Sequence, residues 1–178
     1  MRFLPTSVIA AVAALGLAFA GSAQAQVSPP TITPPAGNLP YDATFAVGVQ
    51  IYKCDGTAWT FVAPRATLHD IVGRKVGDHF AGPTWRWRDG SSVVGAKVGE
   101  APSPIGSIPH LLLRATPTAQ GHLFKTSYIQ RLVTTGGTAP AAGTCTTETA
   151  GTVREVRYTA AYVFWRTVRK SSGTLASA

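Results

Sequence analysis

Two histidines with neighbouring carboxylates are the residues of this sequence most suited to chemistry. His69 precedes Asp70, Asp78 precedes His79, and Asp89 follows on the next segment. Imidazole and carboxylate groups act as acid–base pairs or metal ligands when a fold brings them together. The HExxH spacing of zinc hydrolases does not occur in the sequence, and Asp70 and Asp89 have the sequence context of turn residues. We therefore expect no metal site and no cofactor.

Other catalytic patterns are equally weak. No serine lies in a Gly-x-Ser-x-Gly elbow, and the eight acidic residues show no spacing that pairs two carboxylates. The sequence therefore favours a protein without catalytic activity. The alternative that stays open is a small extracellular hydrolase that uses His79 with Asp78 or Asp89.

Two tryptophans are the best argument for ligand binding. Trp85 and Trp87 are two residues apart in a predicted strand, so their side chains project from the same face. Such a pair packs in a core or forms a platform for a sugar ring or another flat apolar ligand. We expect Trp85 to anchor the core and Trp87 to be a partly exposed contact.

A second pair of candidate ligand-binding residues is Gln130 and Arg131. Along the predicted strand, Tyr128 and Gln130 point to one side, while Ile129 and Arg131 point to the other. If Ile129 is in the core, Arg131 begins on the core side and needs a carboxylate or a route to solvent. If a carboxylate partners Arg131, we interpret the pair as a structural ion pair first and as an anion-binding group second. The candidate carboxylates are Asp78, Asp89 and Glu155.

Several separated blocks of sequence carry a family resemblance. They are Gly48–Cys54, His79–Gly95, Tyr128–Arg131 and Thr135–Gly137, in that order. These blocks resemble the secreted proteins grouped as domain of unknown function 3455, and the resemblance covers nearly the whole mature chain. It implies a compact exported domain with no established activity, and it assigns no role to any residue.

The N-terminus has the features of a signal peptide. A charged start is followed by an apolar run over Val8–Ala20 and by small residues up to Ala25. We expect residues 1–25 to be removed by cleavage between Ala25 and Gln26. No segment is long and apolar enough for a comfortable membrane span, so we expect a secreted or periplasmic protein.

The sequence has two cysteines, Cys54 and Cys145. In an oxidising compartment, an even pair without metal-ligand spacing most often forms a disulfide. We expect this bridge to have a structural role. A reactive thiol is the competing interpretation, but no CxxC or Cys/His signature supports it.

The formal net charge is +8, and removal of Arg2 with the signal peptide lowers it to +7. The basic residues are scattered singly along the chain, and the usual nucleic-acid modules are absent. We expect no nucleic-acid binding. A glycan or an anionic surface polymer is the partner class that the tryptophans and the positive charge favour.

The remaining sequence has a period of two, which is typical of strands. In Phe45–Ile51, the larger apolar residues alternate with Ala46, Gly48 and Gln50, which predicts a buried face formed by the larger residues. Asp89 and Gly90 predict a hairpin turn. We predict one all-β antiparallel domain over residues 41–168, a sandwich or barrel of about seven to nine strands with little helix. A Pro-rich lead-in (26–40) precedes it and a flexible tail (169–178) follows.

These observations favour a secreted, non-catalytic β-domain that binds a ligand or a surface at the cell envelope. Export, the tryptophan pair and the positive charge motivate this hypothesis, and the weak catalytic patterns leave the hydrolase as its alternative.

Overall fold

Eight antiparallel strands form one sheet that closes on itself in a computed structural model that describes residues 32–168. Each strand pairs with the next along the chain, and the last pairs with the first. The predicted all-β class is confirmed, in its barrel-like form. The predicted signal peptide and the predicted tail lie outside the described residues. The strands are β1 (Asn38–Cys54), β2 (Trp59–His69), β3 (Lys75–Phe80), β4 (Thr84–Trp87), β5 (Ser92–Ala101), β6 (His110–Ala119), β7 (Thr126–Gly136) and β8 (Val153–Thr167).

Helix contributes little to the described part of the chain. The helical segments in residues 32–168 are three short 3-10 turns, at His122–Lys125, Ala142–Thr144 and Thr147–Thr149. None of them has the length and apolar character needed to cross a membrane.

Alternation along the strands separates the interior of the barrel from its exterior. In β8, Tyr158, Ala160, Tyr162 and Phe164 are buried, and the residues between them are more exposed. The buried side chains of the other strands join them in one hydrophobic core. The core therefore lies inside the closed sheet, as period-two patterning requires.

The predicted orientation of β1 is wrong, because its large apolar side chains face outward. Phe45 and Val47 are 54% and 55% exposed, whereas Ala46 is fully buried. A Cβ atom added to Gly48 would overlap the backbone of β2 at the carbonyl oxygen of Arg65. β1 and β2 approach too closely here for a larger residue, so the small side chains occupy the inner face.

One end of the barrel, here called the closed end, is filled by aromatic side chains. Trp87 stacks on His122, with ring centroids 4.7 Å apart, and its edge meets Phe164 at 6.0 Å. The carboxylate of Asp42 lies 2.5 Å from Nε2 of His122. These contacts join β1, β4, β8 and the first 3-10 turn, and they fill the interior at this end of the barrel.

A disulfide ties the opposite end together. Cys54, the last residue of β1, is bonded to Cys145 in the connection between β7 and β8, with Cα atoms 5.4 Å apart. Backbone hydrogen bonds from Cys54 N to Thr152 O and from Gly151 N to Cys54 O, both 2.9 Å long, hold the same segment. The predicted bridge is confirmed.

Candidate functional site

A cavity of about 340 Å³ lies inside the barrel, away from the closed end. Inward-facing side chains of several strands form its walls, among them His79, Trp85 and Tyr162. Apolar contributions come from Leu111 and Leu113 of β6. The cavity is therefore a space bounded by the core of the protein rather than a groove on its surface.

The entrance to this cavity follows from the shortness of the β3–β4 hairpin. The register of β2 with β3 begins at Ala66↔His79, so residues 59–65 of β2 extend past the end of β3. On the other side, the register of β5 with β4 covers Ser92 to Val94, and Gly95 N donates to the carbonyl oxygen of Pro83 in the turn, so residues 96–101 also extend past the hairpin. Between the extended parts of β2 and β5, no strand of residues 32–168 closes the barrel wall above the short β3–β4 hairpin, and this gap is the entrance to the cavity.

Apolar residues form the rim of this entrance. Phe61 and Val62 of β2 line the cavity, although they are 54% and 56% exposed. Gly82 and Pro83, in the turn between β3 and β4, lie on the same rim. The rim also contains Lys97, whose ammonium group is paired with Glu100 at 2.6 Å.

His79 lies inside the barrel as a neutral ring. It stacks on Trp85 with ring centroids 4.1 Å apart, and its edge contacts Tyr162 at 5.1 Å. Its Nδ1 lies 2.9 Å from the carbonyl oxygen of Thr84 and therefore carries the proton of the neutral ring. Burial lowers the pKa of His79 to about 3, and the charge of Arg131 lowers it further against the opposing hydrogen bond to Thr84. A general base at neutral pH works best with a pKa near that pH, so His79 is poorly suited to the role.

The two predicted carboxylate partners of His79 lie elsewhere. Asp78 is half-buried on the opposite side of β3 and pairs with Lys75 at 2.8 Å. Asp89 lies in the turn before β5, where it accepts hydrogen bonds from Ser91 and from the backbone N–H of His122. The Ser91 hydroxyl, with help from the backbone N–H of His122, lowers the pKa of Asp89 to about 2. The structure thus distributes His79, Asp78 and Asp89 over three separate places.

Both tryptophans of β4 face the interior. Trp85 is 1% exposed, which confirms its predicted place in the core. Trp87 is 9% exposed, so the predicted exposed contact at this position is wrong. The two residues share one face of the strand, as expected, but His122 and Phe164 cover Trp87 at the closed end. An external aromatic platform is therefore not formed by this pair.

Arg131 lines the cavity inside the barrel. This agrees with its place two residues after Ile129, on the same side of the strand. Its Nε and Nη2 donate to the carbonyl oxygen of Pro109 at 3.0 and 2.8 Å. Of the two possibilities for Arg131, the ion pair does not form, since no carboxylate of residues 32–168 lies within salt-bridge distance of Arg131. Its third candidate partner, Glu155, pairs with Arg65 on the exterior at 2.7 Å.

Gln130 lies on the outer side of β7, away from the cavity. Its Nε2 donates to the carbonyl oxygen of Ile32 at 2.6 Å, and its Oε1 accepts from Nε1 of Trp165 at 2.8 Å. Gln130 therefore connects the end of the lead-in and the indole of Trp165 to β7. The prediction of Gln130 as a ligand contact stays untested, but these bonds give it a structural role.

Gln50 is a cavity residue that was not predicted as a candidate site residue from the sequence. It is 2% exposed, and its Nε2 has no hydrogen-bond partner in the described part of the chain. The available signal was a polar residue within the otherwise apolar segment Phe45–Ile51 of β1. Its inward direction could not be read from the pattern, because the larger apolar residues of β1 face outward.

The residues 32–168 contain no cluster of three or more His, Cys, Asp or Glu side chains that could hold a metal ion. The polar groups that line the cavity include the guanidinium of Arg131, which is a donor only, and the hydroxyl of Tyr162 and the Nε2 of neutral His79, which can accept a hydrogen bond. Two buried donors beside it, Nε2 of Gln50 and Nε1 of Trp85, have no hydrogen-bond partner in residues 32–168.

Comparison with known proteins places this architecture in a family. No curated protein and no solved structure matches the chain. Residues 35–166 match the family model described as "Protein of unknown function (DUF3455)", a range that begins just before β1 and ends within β8. The chain therefore belongs to the DUF3455 family.

Proposed function

We propose that this protein is a non-catalytic binding protein that holds a small, largely apolar ligand inside its barrel. The observation that carries the proposal is the cavity of about 340 Å³ with its low entrance between β2 and β5. Ligand pockets of proteins typically begin at about 300 Å³, and eight-stranded barrels have room for one small ligand. The cavity is at the small end of this range.

The chemistry of the walls supports an apolar ligand with few polar groups. Trp85, Leu111 and Leu113 line the interior, and Phe61 and Val62 line the entrance. Binding sites of this kind combine apolar surface with a small number of polar groups that fix the orientation of the ligand. Two buried donors beside the cavity, Nε2 of Gln50 and Nε1 of Trp85, have no hydrogen-bond partner in residues 32–168, and such groups are uncommon in folded proteins.

The same geometry argues for binding over hydrolysis. His79 is neutral and is stacked on Trp85, and neither Asp78 nor Asp89 lines the cavity. A hydrolase of the predicted kind needs an imidazole and a carboxylate that meet at the substrate. We therefore favour the binding protein over the small extracellular hydrolase.

We also propose that the protein acts outside the cytoplasm, after cleavage between Ala25 and Gln26. The Cys54–Cys145 disulfide supports an oxidising compartment, because structural disulfides are rare in reducing ones. N-terminal sequencing of the protein recovered from periplasm and medium tests this proposal. A chain that retains residues 1–25, or is found in the cytoplasm alone, would contradict it.

A glycan or an anionic polymer at the cell envelope is the second candidate partner. Its support is the basic exterior, where many arginines are exposed on the outer faces of the strands; examples are Arg86, Arg114, Arg154 and Arg157. Retention on a sulfated polysaccharide column at low salt, and loss of retention at moderate salt, would support a surface of this kind. Elution at the void volume would exclude it.

The cavity proposal is tested with the neutral fluorescent probe N-phenyl-1-naphthylamine. We expect its emission to rise and shift to shorter wavelength on binding with one-to-one stoichiometry, and the tryptophan fluorescence of the protein to fall through energy transfer. Leu111→Trp places an indole in the cavity and should abolish binding. The matched control is Thr116→Trp, at an exposed position of the same strand, which should bind like the unmodified protein.

Circular dichroism and thermal unfolding establish that both variants fold. Failure of the unmodified protein to bind the probe would count against the proposal. Equal binding by Leu111→Trp would overturn it, since the probe would then lie outside the cavity. Amide chemical shifts provide a second readout, because a ligand in the cavity should move the signals of Leu113 and Tyr162 in the unmodified protein.

A further inference from the structure

We infer that the ligand of this cavity is a monoanion, an apolar body with one carboxylate group, and that Arg131 holds the carboxylate. The inference rests on the proposed function and adds the chemical class of the ligand. Its basis is the charge and hydrogen-bonding capacity of the cavity, in which one cation without a carboxylate partner lies among apolar walls.

Arg131 is held in place with part of its binding capacity unused. Two of its N–H groups donate to the carbonyl oxygen of Pro109, and the guanidinium also interacts with the hydroxyl of Tyr162. A guanidinium has five N–H donors in a planar fork, and this fork matches the two oxygens of a carboxylate. The half-buried Arg131 is thus positioned by the backbone of the β5–β6 connection and can still accept an anion.

The acidic residues of the protein do not neutralise this charge. Ion pairs with lysine or arginine side chains other than Arg131 occupy Asp70, Asp78, Glu100 and Glu155, and Asp42 contacts Nε2 of His122. Asp55 and Asp89 accept hydrogen bonds from their own turns, and Glu148 is exposed in the third 3-10 turn, where it forms no ion pair within residues 32–168. A half-buried cation without a counterion is costly, and a bound carboxylate would offset that cost.

The cavity has one internal cation to satisfy, which is the reason for a monoanion. The other cation at the cavity, Lys97, is already paired with Glu100 on the rim. His79 adds no positive charge, because its ring is neutral and its Nδ1 is bonded to the backbone of Thr84. The charge of Arg131 acts across the interior, where it opposes the burial that raises the pKa values of Tyr52 and Tyr162.

A second donor supports the same assignment. Gln50 is more than nine-tenths buried, lines the cavity and has an Nε2 without a partner in residues 32–168. The guanidinium of Arg131 is a donor only, the unpaired group of Gln50 is a donor, and no carboxylate of residues 32–168 lines the cavity. An acceptor group with negative charge therefore suits this wall better than a hydroxyl or an amine.

The volume limits the apolar part of the ligand. A cavity of about 150 Å³ accommodates benzene, so the present one accommodates a body of about twice that size. A medium-length alkyl chain or a bicyclic aromatic ring meets this limit. Decanoate is therefore a suitable probe, and decan-1-ol and decylammonium carry the same chain with a neutral and a cationic head.

The experiment measures displacement of N-phenyl-1-naphthylamine by these three compounds at neutral pH. We expect decanoate to bind at least about tenfold more tightly than decan-1-ol, and decylammonium to bind most weakly. Equal affinities for decanoate and decan-1-ol would overturn the inference and leave the proposed function intact. If the probe and all three compounds fail to bind, the proposed function itself fails.

Variants at Arg131 assign the preference to this residue. Arg131→Met should remove the difference between decanoate and decan-1-ol, and Arg131→Lys should restore part of it. The matched control is Arg114→Met, which removes an exposed arginine from β6 and should leave the preference unchanged. A preference for decanoate that persists in Arg131→Met would overturn the assignment. If Arg131→Met does not fold, the affinities of the three ligands are compared between Arg131→Lys and the unmodified protein. A preference for decanoate that is undiminished in Arg131→Lys would then overturn the assignment.

Discussion

The imidazole of His79 and the indole of Trp85 lie face to face inside the barrel, with ring centroids 4.1 Å apart and ring planes inclined by 16°. The two residues are also register partners in the ladder between β3 and β4, which has four residue pairs. Their stack therefore connects the shortest strands of the sheet and forms part of the cavity wall. The contacts that stabilise this part of the fold are the same contacts that shape the candidate binding site.

Both tryptophans of β4 should be essential for stability. We expect Trp85→Ala and Trp87→Ala each to lower the free energy of unfolding by about 3–5 kcal/mol, because each removes a large buried aromatic side chain. Urea denaturation followed by circular dichroism measures both values.

The control for these two variants is Phe45→Ala, since Phe45 is a large aromatic residue on the exterior of β1. It should cost about 1 kcal/mol or less. A Trp87→Ala variant as stable as Phe45→Ala would contradict the buried position of Trp87 and would indicate that its side chain is exposed.

Gly48 is a position where the barrel allows no side chain. Gly48→Ala should lower the free energy of unfolding by about 1–3 kcal/mol or prevent folding, because the new Cβ meets the backbone of Arg65 and Ala66, which belongs to the sheet. Thermal unfolding compares it with Gly143→Ala, whose Cβ enters open space. Equal melting temperatures for the two variants would show that β1 and β2 are farther apart than described.

The disulfide should contribute substantially to stability. The bridge joins residues separated by 91 positions, for which the loss of chain entropy in the unfolded state gives an upper value of about 4.6 kcal/mol. We expect the Cys54→Ala/Cys145→Ala variant to lose about 2–4 kcal/mol of unfolding free energy in urea.

Reductant provides the control for this prediction. It should destabilise the unmodified protein and have no effect on the double variant. Thiol titration of unfolded, non-reduced protein should find no free cysteine. Reactive thiols in that titration, or an unchanged stability after reduction, would contradict the structural role of the bridge.

The strands could be predicted from the sequence because period-two patterning is local. The Asp89–Gly90 turn and the alternating burial in β8 could be predicted for the same reason. The even number of cysteines indicated the disulfide. The direction of β1 could not be predicted in this way, since both of its sides carry apolar residues. Which side faces inward depends on the close approach of β1 and β2 at Gly48, and this is a property of the closed sheet.

The candidate site shows the same division between local and long-range information. Periodicity predicted that Arg131 shares the side of Ile129, and that Trp85 and Trp87 share a face. It could not predict that His122, distant in sequence, covers Trp87, or that the carbonyl of Pro109 takes the place of a carboxylate beside Arg131. The cavity itself results from the difference in length between the β3–β4 hairpin and its neighbours, which pairing registers determine.

Stability should depend on pH through His79. Burial lowers its pKa to about 3 in the folded protein, whereas an unfolded histidine has a pKa of about 6.5. Between these values the unfolded chain binds a proton that the folded protein does not bind. The contribution of neutral His79 is therefore complete above about pH 6.5 and is lost progressively as the pH falls toward 3.

The variant His79→Asn isolates this effect, because its amide can still donate to the carbonyl of Thr84 but does not titrate. Between about pH 6 and pH 4, the free energy of unfolding of the unmodified protein should fall more steeply than that of the variant, by up to about 1.4 kcal/mol per pH unit. Urea denaturation at several pH values measures how steeply the free energy of unfolding of each protein changes with pH. At about pH 8, the difference in unfolding free energy between the two proteins gives the loss of packing alone. Parallel curves would mean that His79 titrates normally in the folded protein, and they would contradict its place in the interior against Trp85.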